Sequence, residues 1–164
     1  MHMTPRRAIA RMHIAALMFG LTGIFGKLTV AGPLAIVLGR AFFAVLALLV
    51  FARIFSSPIL RGMNRTRLLQ LAACGLLLGV HWLTFFHAVK IAGVGIATLG
   101  FASFPAFVVI LEWLMWRESA SRMDLLKILL ICIGLILVTP DFSLGNQATA
   151  GLLWALLSGF CFAA

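Results

Sequence analysis

The 164-residue chain offers few side chains able to do chemistry, and nearly all of them sit inside or beside long apolar runs. Its acids are Glu112, Glu118, Asp124 and Asp141, and its cysteines are Cys74, Cys132 and Cys161. Bond-making catalysis in such surroundings needs a nucleophile beside its base, or metal ligands that leave a coordination position open. The sequence has no GxSxG, no HExxH, no paired carboxylates and no CxxC, and three of the four acids fall at helix ends or in loops. The cysteines read as free thiols buried in apolar segments, with no histidine at metal-ligand spacing. Gly93-x-Gly95 is no phosphate loop, because a dinucleotide fingerprint needs a third glycine and a preceding strand. Neither an enzyme nor a cofactor or metal protein is expected from these residues.

What remains is the chemistry of binding. Lys27, Arg40, His81, His87 and Glu112 all lie within apolar runs. A charge at the centre of a bilayer costs about 2.5 to 3.5 kcal/mol on insertion scales, so each of these groups requires a partner or a role.

The elements that must carry them are membrane spans. Of the residues, 63% are apolar and 10% charged, against roughly 25% charged in a soluble domain. About 20 apolar residues cross a hydrocarbon core, and a helix satisfies its own backbone there. Six such runs occur, over 8–30, 33–55, 68–89, 93–116 and 123–139, with the last beginning near Ala148 and still apolar at Ala164. They predict an all-α membrane protein, a multi-spanning helical bundle of about five complete transmembrane helices and a truncated sixth. A cleaved signal peptide fits the start poorly, since Lys27 interrupts the first run and further spans follow.

Charge sets the direction. Alternate loops place ten of the thirteen cations on one side: Arg6, Arg7, Arg11, Arg53, Arg61, Arg65, Arg67, Arg117, Arg122 and Lys127. The other side receives Lys27 and Lys90. The positive-inside rule puts the N-terminus in the cytoplasm and the chain in the inner (cytoplasmic) membrane. The formal charge of +9 therefore reads as topology; it forms no stripe for nucleic acid. Asn64-Arg65-Thr66 matches a glycosylation acceptor by chance, on the cytoplasmic side.

Local chemistry marks several boundaries. Ser121 with Asp124 three residues on is a capping-box pattern opening the fifth helix, and Pro140 closes it. Trp113 and Trp116 before Arg117 suit a membrane interface. Close helix approach is expected at Gly20, Gly23 and Gly26, at Gly75 and Gly79, and at Ala155 with Gly159. Pro105, beside Ser103 in mid-span, removes a backbone donor and should kink or loosen the fourth helix.

On this topology Lys27 lies about one turn, and Arg40 about two turns, from the outer surface, each residue rising 1.5 Å. His87 and Lys90 close the third helix on the same side. One reading is a cationic vestibule that attracts an anionic or carboxylate-bearing solute. The other is structural: the lysines snorkel to headgroups and Arg40 satisfies helix-end carbonyls. His81, beside Trp82, Phe85 and Phe86, is either hydrogen-bonded to a neighbouring helix or exposed to a pore. His87 lies about 120° round the helix from it, so the pair need not share a pore. Glu112 either pairs with a cytoplasmic arginine, as Glu118 should, or couples protons. The aromatic residues Trp82, Phe85, Phe86, Phe101, Phe104 and Phe107 line a cavity or, for most positions, face lipid.

Phe19-Gly-Leu-Thr-Gly-Ile-Phe-Gly-Lys27, then Pro33 and Arg40, resembles the start of an EamA-type transporter of the drug/metabolite transporter superfamily. His87-Ala-Val-Lys90, Gly93, Ala97, Phe104-Pro-Ala-Phe107 and Trp116-Arg-Glu118 continue the likeness. The resemblance implies a secondary transporter of small metabolites built from two five-helix repeats of opposite orientation, with no cofactor. Residues 1–140 then correspond to the first repeat and 141–164 to the start of a second. Such a protein should need its second repeat in cis, or a second subunit, before it transports. The alternative is a non-transporting or half-size subunit that acts only as a dimer, against which the strong charge bias argues. Arg40, Lys27, His81, His87, Trp82 and Pro105 are the candidate solute contacts, and Glu112 the candidate proton group.

Overall fold

Backbone chemistry fixes the ends of the helices. In the computed structural model, which describes residues 5–55, 63–117, 120–138 and 145–164, the helices are α1 (Pro5–Leu28), α2 (Pro33–Ile54), α3 (Arg65–Phe101), α4 (Phe104–Trp116), α5 (Arg122–Val138) and α6 (Gln147–Ala163). Pro33 opens α2 behind Gly32, where its missing N–H costs nothing. Asn64 caps α3 by accepting from the Arg67 N–H at 2.8 Å, and Asn146 caps α6 by accepting from Ala148 at 2.9 Å. The capping box expected at α5 is present: Asp124 N–H donates to the Ser121 hydroxyl and Ser121 N–H to the Asp124 carboxylate, both at 3.2 Å. Pro140, Glu118 and Asp141 lie outside the described residues.

The third and fourth runs divide differently from the sequence reading. Helix continues from 65 through 101, broken at Gly93, whose φ of 86° and ψ of 169° suit a residue without a Cβ. The returning span is itself in two pieces, 94–101 and α4, separated at Ala102 and Ser103. Pro105 falls in the first turn of α4, where it interrupts the span as expected.

Helix α3 is the hub: α1, α2, α5 and α6 all pack on it, and α4 joins through α5 and α6. Close approach follows small residues. A Cβ on Gly26 would overlap the Phe86 ring, one on Gly151 the Ala92 methyl, and one on Gly100 the Ala155 methyl. The contacts also give direction. Gly151 meets Ala88 and Ala92 while Ser158 meets His81, so α6 runs antiparallel to 65–92. Gly100 meets Leu152 and Ala155, and Gly159 meets Ser103, so α6 runs alongside the returning segment. Tight packing fails at Gly20, Gly75 and Gly79, where nothing lies within 4 Å of an added Cβ.

The bundle is apolar outside as well as in. Ile9, Leu17, Phe43, Leu48, Leu69, Leu114 and Leu129 are all exposed, while the buried core gathers around Phe85, Phe86, Val89, Ala97 and Phe101. In water such a surface would aggregate; in lipid it is the solvent-facing surface. Helices α1, α2 and α3 are each long and apolar enough to span a bilayer, and α4 and α6 are shorter apolar helices. Cys74 and Cys132 lie on the exposed surface and only Cys161 is buried, so the expectation of three buried thiols fails for two. They occupy the outward faces of α3 and α5, and apolar sequence context marks membrane depth without marking which face points inward.

Candidate solute site

Between α1, the 94–101 segment, α4 and α6 lies a cleft of about 470 Å³, within the usual size of small-molecule sites. Its walls are Phe19, Phe85, Phe101, Phe104 and Phe162, with Ala16, Gly20, Gly23 and Ala102 as a low floor and Thr98 as the one hydroxyl. The rings hold one another. Phe101 stacks on Phe19 at 6.0 Å and on Phe104 at 5.3 Å, and Phe162 sets its edge against both Phe101 and Phe104 at 5.3 Å. These are the offset and T-shaped geometries that ring quadrupoles favour.

Phe19 and Phe85 also wall a small second cavity, lined in addition by Thr22, Arg40, His81, Trp82 and Phe86. Here the Arg40 guanidinium lies 4.6 Å from the Trp82 ring centroid and 5.6 Å from that of Phe86. Cation–π contact of this kind holds a desolvated cation by roughly 0.5 to 2 kcal/mol. Its Nε is buried and has no hydrogen-bond partner among the described residues. Helix-end carbonyls, the structural role open to it in the sequence, are not what Nε meets.

His81, 2% exposed, is held by α6. Its Nδ1–H donates to the Ser158 hydroxyl at 2.8 Å and to the Ser158 carbonyl at 3.1 Å, while that hydroxyl donates to the His81 carbonyl at 3.1 Å. Its ring also packs 5.0 Å from Phe101 and 4.9 Å from Phe162. His81 therefore joins the aromatic wall to the Arg40 chamber.

The other candidates stand elsewhere. Lys27 donates to the Lys90 carbonyl at 3.4 Å, and Lys90 to the carbonyl of Thr29. Each ammonium thus serves a helix end, that of 65–92 where Gly93 frees the last carbonyls and that of α1 at its exit. His87 packs edge-on against Trp154 at 4.9 Å, a different level of α6 from that of His81. Pro105 and Glu112 border a separate cleft of about 240 Å³ with Asp124 and Lys127. There Lys127 pairs with Asp124 at 3.0 Å.

The lipid-facing expectation is corrected for Phe85, Phe86 and Phe101, which are 8%, 1% and 8% exposed. Phe107 meets Phe160 at 5.7 Å outside the cleft. Phe19, Thr98 and Phe162 line the cleft and went unremarked as site residues in the sequence. Phe19 lies four residues before Gly23 and seven before Gly26, on the face that the glycines turn toward α3, and Phe162 follows Ser158 by four. Helical phase alone would have added them.

A helical membrane bundle whose shortest-side-chain face encloses an aromatic cleft is one frame for solute passage, and the sequence agrees. Residues 6–139 match the EamA-like transporter family. The chain belongs to that family. It is similar to the uncharacterized transporter YxxF of Bacillus subtilis (strain 168), at 26% identity over 160 residues, covering 95% of this chain and 51% of the relative. The chain thus spans about half the length of that relative. No solved structure matches it. As an EamA-like chain it is a membrane protein of the transporter type, and the match runs through α1 to α5, which supply every cleft residue except Phe162.

Proposed function

We propose that the protein is a secondary transporter of small metabolites and that its solute enters the cleft of Phe19, Phe85, Phe101, Phe104 and Phe162. The observation that carries this reading is the aromatic cleft of about 470 Å³ with the Arg40 chamber directly behind Phe19 and Phe85. In a family of transporters, an apolar aromatic pocket of this size is the natural solute site. Residues 1–140 serve as the first of two repeats and 141–164 as the beginning of the next, in the inner membrane with the N-terminus in the cytoplasm. The second repeat, in cis or from another subunit, closes the remaining side of the cleft.

The reading supports passage rather than chemistry on the solute. The cleft holds no nucleophile with its base, and its one hydroxyl, Thr98, has no general base among the lining residues. The test is movement of radiolabelled solutes by vesicles containing the protein as expressed from its gene, compared with vesicles lacking it. Time-dependent uptake or efflux of a small metabolite that excess unlabelled solute abolishes is the expected result. Vesicles indistinguishable from the protein-free control across a broad metabolite panel would overturn the proposal.

A further inference from the structure

We infer that Thr98 is the residue that hydrogen-bonds the solute in the aromatic cleft, and that the part of the solute lying against this wall is an apolar body with one uncharged hydrogen-bonding group, such as a hydroxyl or a carbonyl; this rests on the transporter reading of the same cleft.

A hydroxyl on a helix can donate to a carbonyl three or four residues back, and at membrane depth it has little else to meet. The hydroxyls around the cleft follow that rule or find another carbonyl. Thr22 donates to the Met18 carbonyl at 3.1 Å, Thr84 to that of Val80 at 2.8 Å and Ser103 to that of Gly100 at 2.7 Å, while Ser158 reaches the His81 carbonyl at 3.1 Å. Thr98 departs from it. Its hydroxyl has no hydrogen-bond partner among the described residues, and the residue is exposed in the wall of the cleft. A hydroxyl left unpaired in apolar surroundings is costly, and a solute that pairs with it recovers that cost.

The packing of α1 puts Thr98 in the gap. A Cβ on Gly23 would stand 3.1 Å from a Val94 methyl, so α1 and the 94–101 segment touch at that level. One turn away on α1, at Gly20, nothing lies within 4 Å of an added Cβ. Thr98 follows Val94 by four residues and so shares its face, toward α1. The two segments part where Thr98 stands, and the cleft opens between them.

The rest of the wall narrows the class. Phe19, Phe85, Phe101, Phe104 and Phe162 present carbon, and no charged side chain among the described residues lines the cleft. A charge or a second polar group pressed against this wall would be desolvated without a partner. Thr98 can donate or accept, so it suits an alcohol, a ketone or an amide. A polyol does not fit here, because one hydroxyl cannot satisfy several.

The experiment is a ligand-observed NMR titration of the protein, expressed from its gene and held in lipid nanodiscs, with empty nanodiscs subtracted. Its probes share one ring: chlorocyclohexane without a hydroxyl, cyclohexanol with one, and inositol with a hydroxyl on every carbon. Thr98→Val should weaken cyclohexanol by about three- to tenfold, the worth of one hydrogen bond, and leave chlorocyclohexane unchanged, which also shows that the variant is folded. Thr98→Ser, which keeps the hydroxyl, should hold cyclohexanol within about twofold of its native affinity. Gly20→Leu, which fills the open space, should abolish binding of both, and inositol should not bind. An equal response of cyclohexanol and chlorocyclohexane to Thr98→Val would overturn the inference, as would a loss in Thr98→Ser as large as in Thr98→Val, binding that survives Gly20→Leu, binding of inositol, or binding of no probe. Transport is read separately. A protein that binds cyclohexanol through Thr98 and moves no solute loses the transporter reading and keeps the site; one that moves a solute with unchanged apparent affinity in Thr98→Val does the reverse.

Discussion

His81 on α3 and Ser158 on α6 exchange hydrogen bonds in both directions, the ring N–H to the serine hydroxyl at 2.8 Å and that hydroxyl to the histidine carbonyl at 3.1 Å. Both are buried, Ser158 completely. The pair is a polar clasp in an interface where Gly100, Gly151, Ala155 and Gly159 bring the backbones close and Leu152, Trp154 and Phe162 add larger contacts. Ser158→Ala leaves Nδ1 its second acceptor, the Ser158 carbonyl, and should cost about 1 kcal/mol, the net worth of one such bond. His81→Ala leaves the Ser158 hydroxyl its bond to the backbone carbonyl of residue 81 but opens a cavity beside Phe101 and Phe162, and should cost about 2 to 4 kcal/mol. Thermal unfolding in detergent ranks the two variants, and the reverse order would contradict this account of the clasp.

Glycines of similar sequence context should respond oppositely to alanine. At Gly151 the new methyl collides with that of Ala92, which cannot rotate away, so Gly151→Ala should destabilise by about 1 to 3 kcal/mol. At Gly75 the space is open, and Gly75→Ala should be neutral or stabilise by up to about 1 kcal/mol through helix propensity. Melting temperatures of the two single variants decide it, and a loss at Gly75 as large as that at Gly151 would show that an unseen neighbour packs there.

Much of this fold is legible in the sequence, and the exceptions share a cause. Apolar runs located the helices, and Ser121 with Asp124 marked the start of α5, because spans and caps are local properties of the chain. Pro105 likewise announced its break. Which face of a helix turns inward is not local: Gly75 and Gly79 read the same as Gly23 and Gly26 until α3 is placed among its neighbours. The aromatic residues suffered the same ambiguity, since a phenylalanine suits lipid and a cleft equally. Of the candidate site, Arg40, His81 and Trp82 do come together, whereas Lys27, His87, Pro105 and Glu112 were selected by residue type at membrane depth and occupy other surroundings.

Gly93 carries a backbone conformation that a side chain disfavours, with nothing near its would-be Cβ to blame for any loss. Gly93→Ala should therefore destabilise through strain alone, by about 1 to 3 kcal/mol. The Lys27 contact with the Lys90 carbonyl depends on the same break, so regular helix through residue 93 would remove it. A melting temperature equal to that of the native chain would mean that the break is dispensable.

On the proposed topology Met63 lies on the cytoplasmic side and Gly145 on the outer side. Single cysteines at these positions, in a background without Cys74, Cys132 and Cys161, should differ in intact cells. An impermeant thiol reagent should label position 145 and leave position 63 until the membrane is opened. The opposite pattern would invert the topology.

The central claim, that Arg40 in the chamber sharing Phe19 and Phe85 with the aromatic cleft contributes to solute binding, is tested most directly by transport kinetics of Arg40→Lys and Arg40→Gln in vesicles, using the protein expressed from its gene. Lysine keeps the charge and loses the planar fork, and glutamine keeps hydrogen bonding and loses the charge. The account predicts that both variants insert and melt like the native protein while apparent affinity for an anionic solute falls, about tenfold or more for glutamine and less for lysine, as expected for loss of about 1.4 kcal/mol or more of a charge-assisted contact. Unchanged affinity in both variants, whether or not their thermal stability falls, would contradict it.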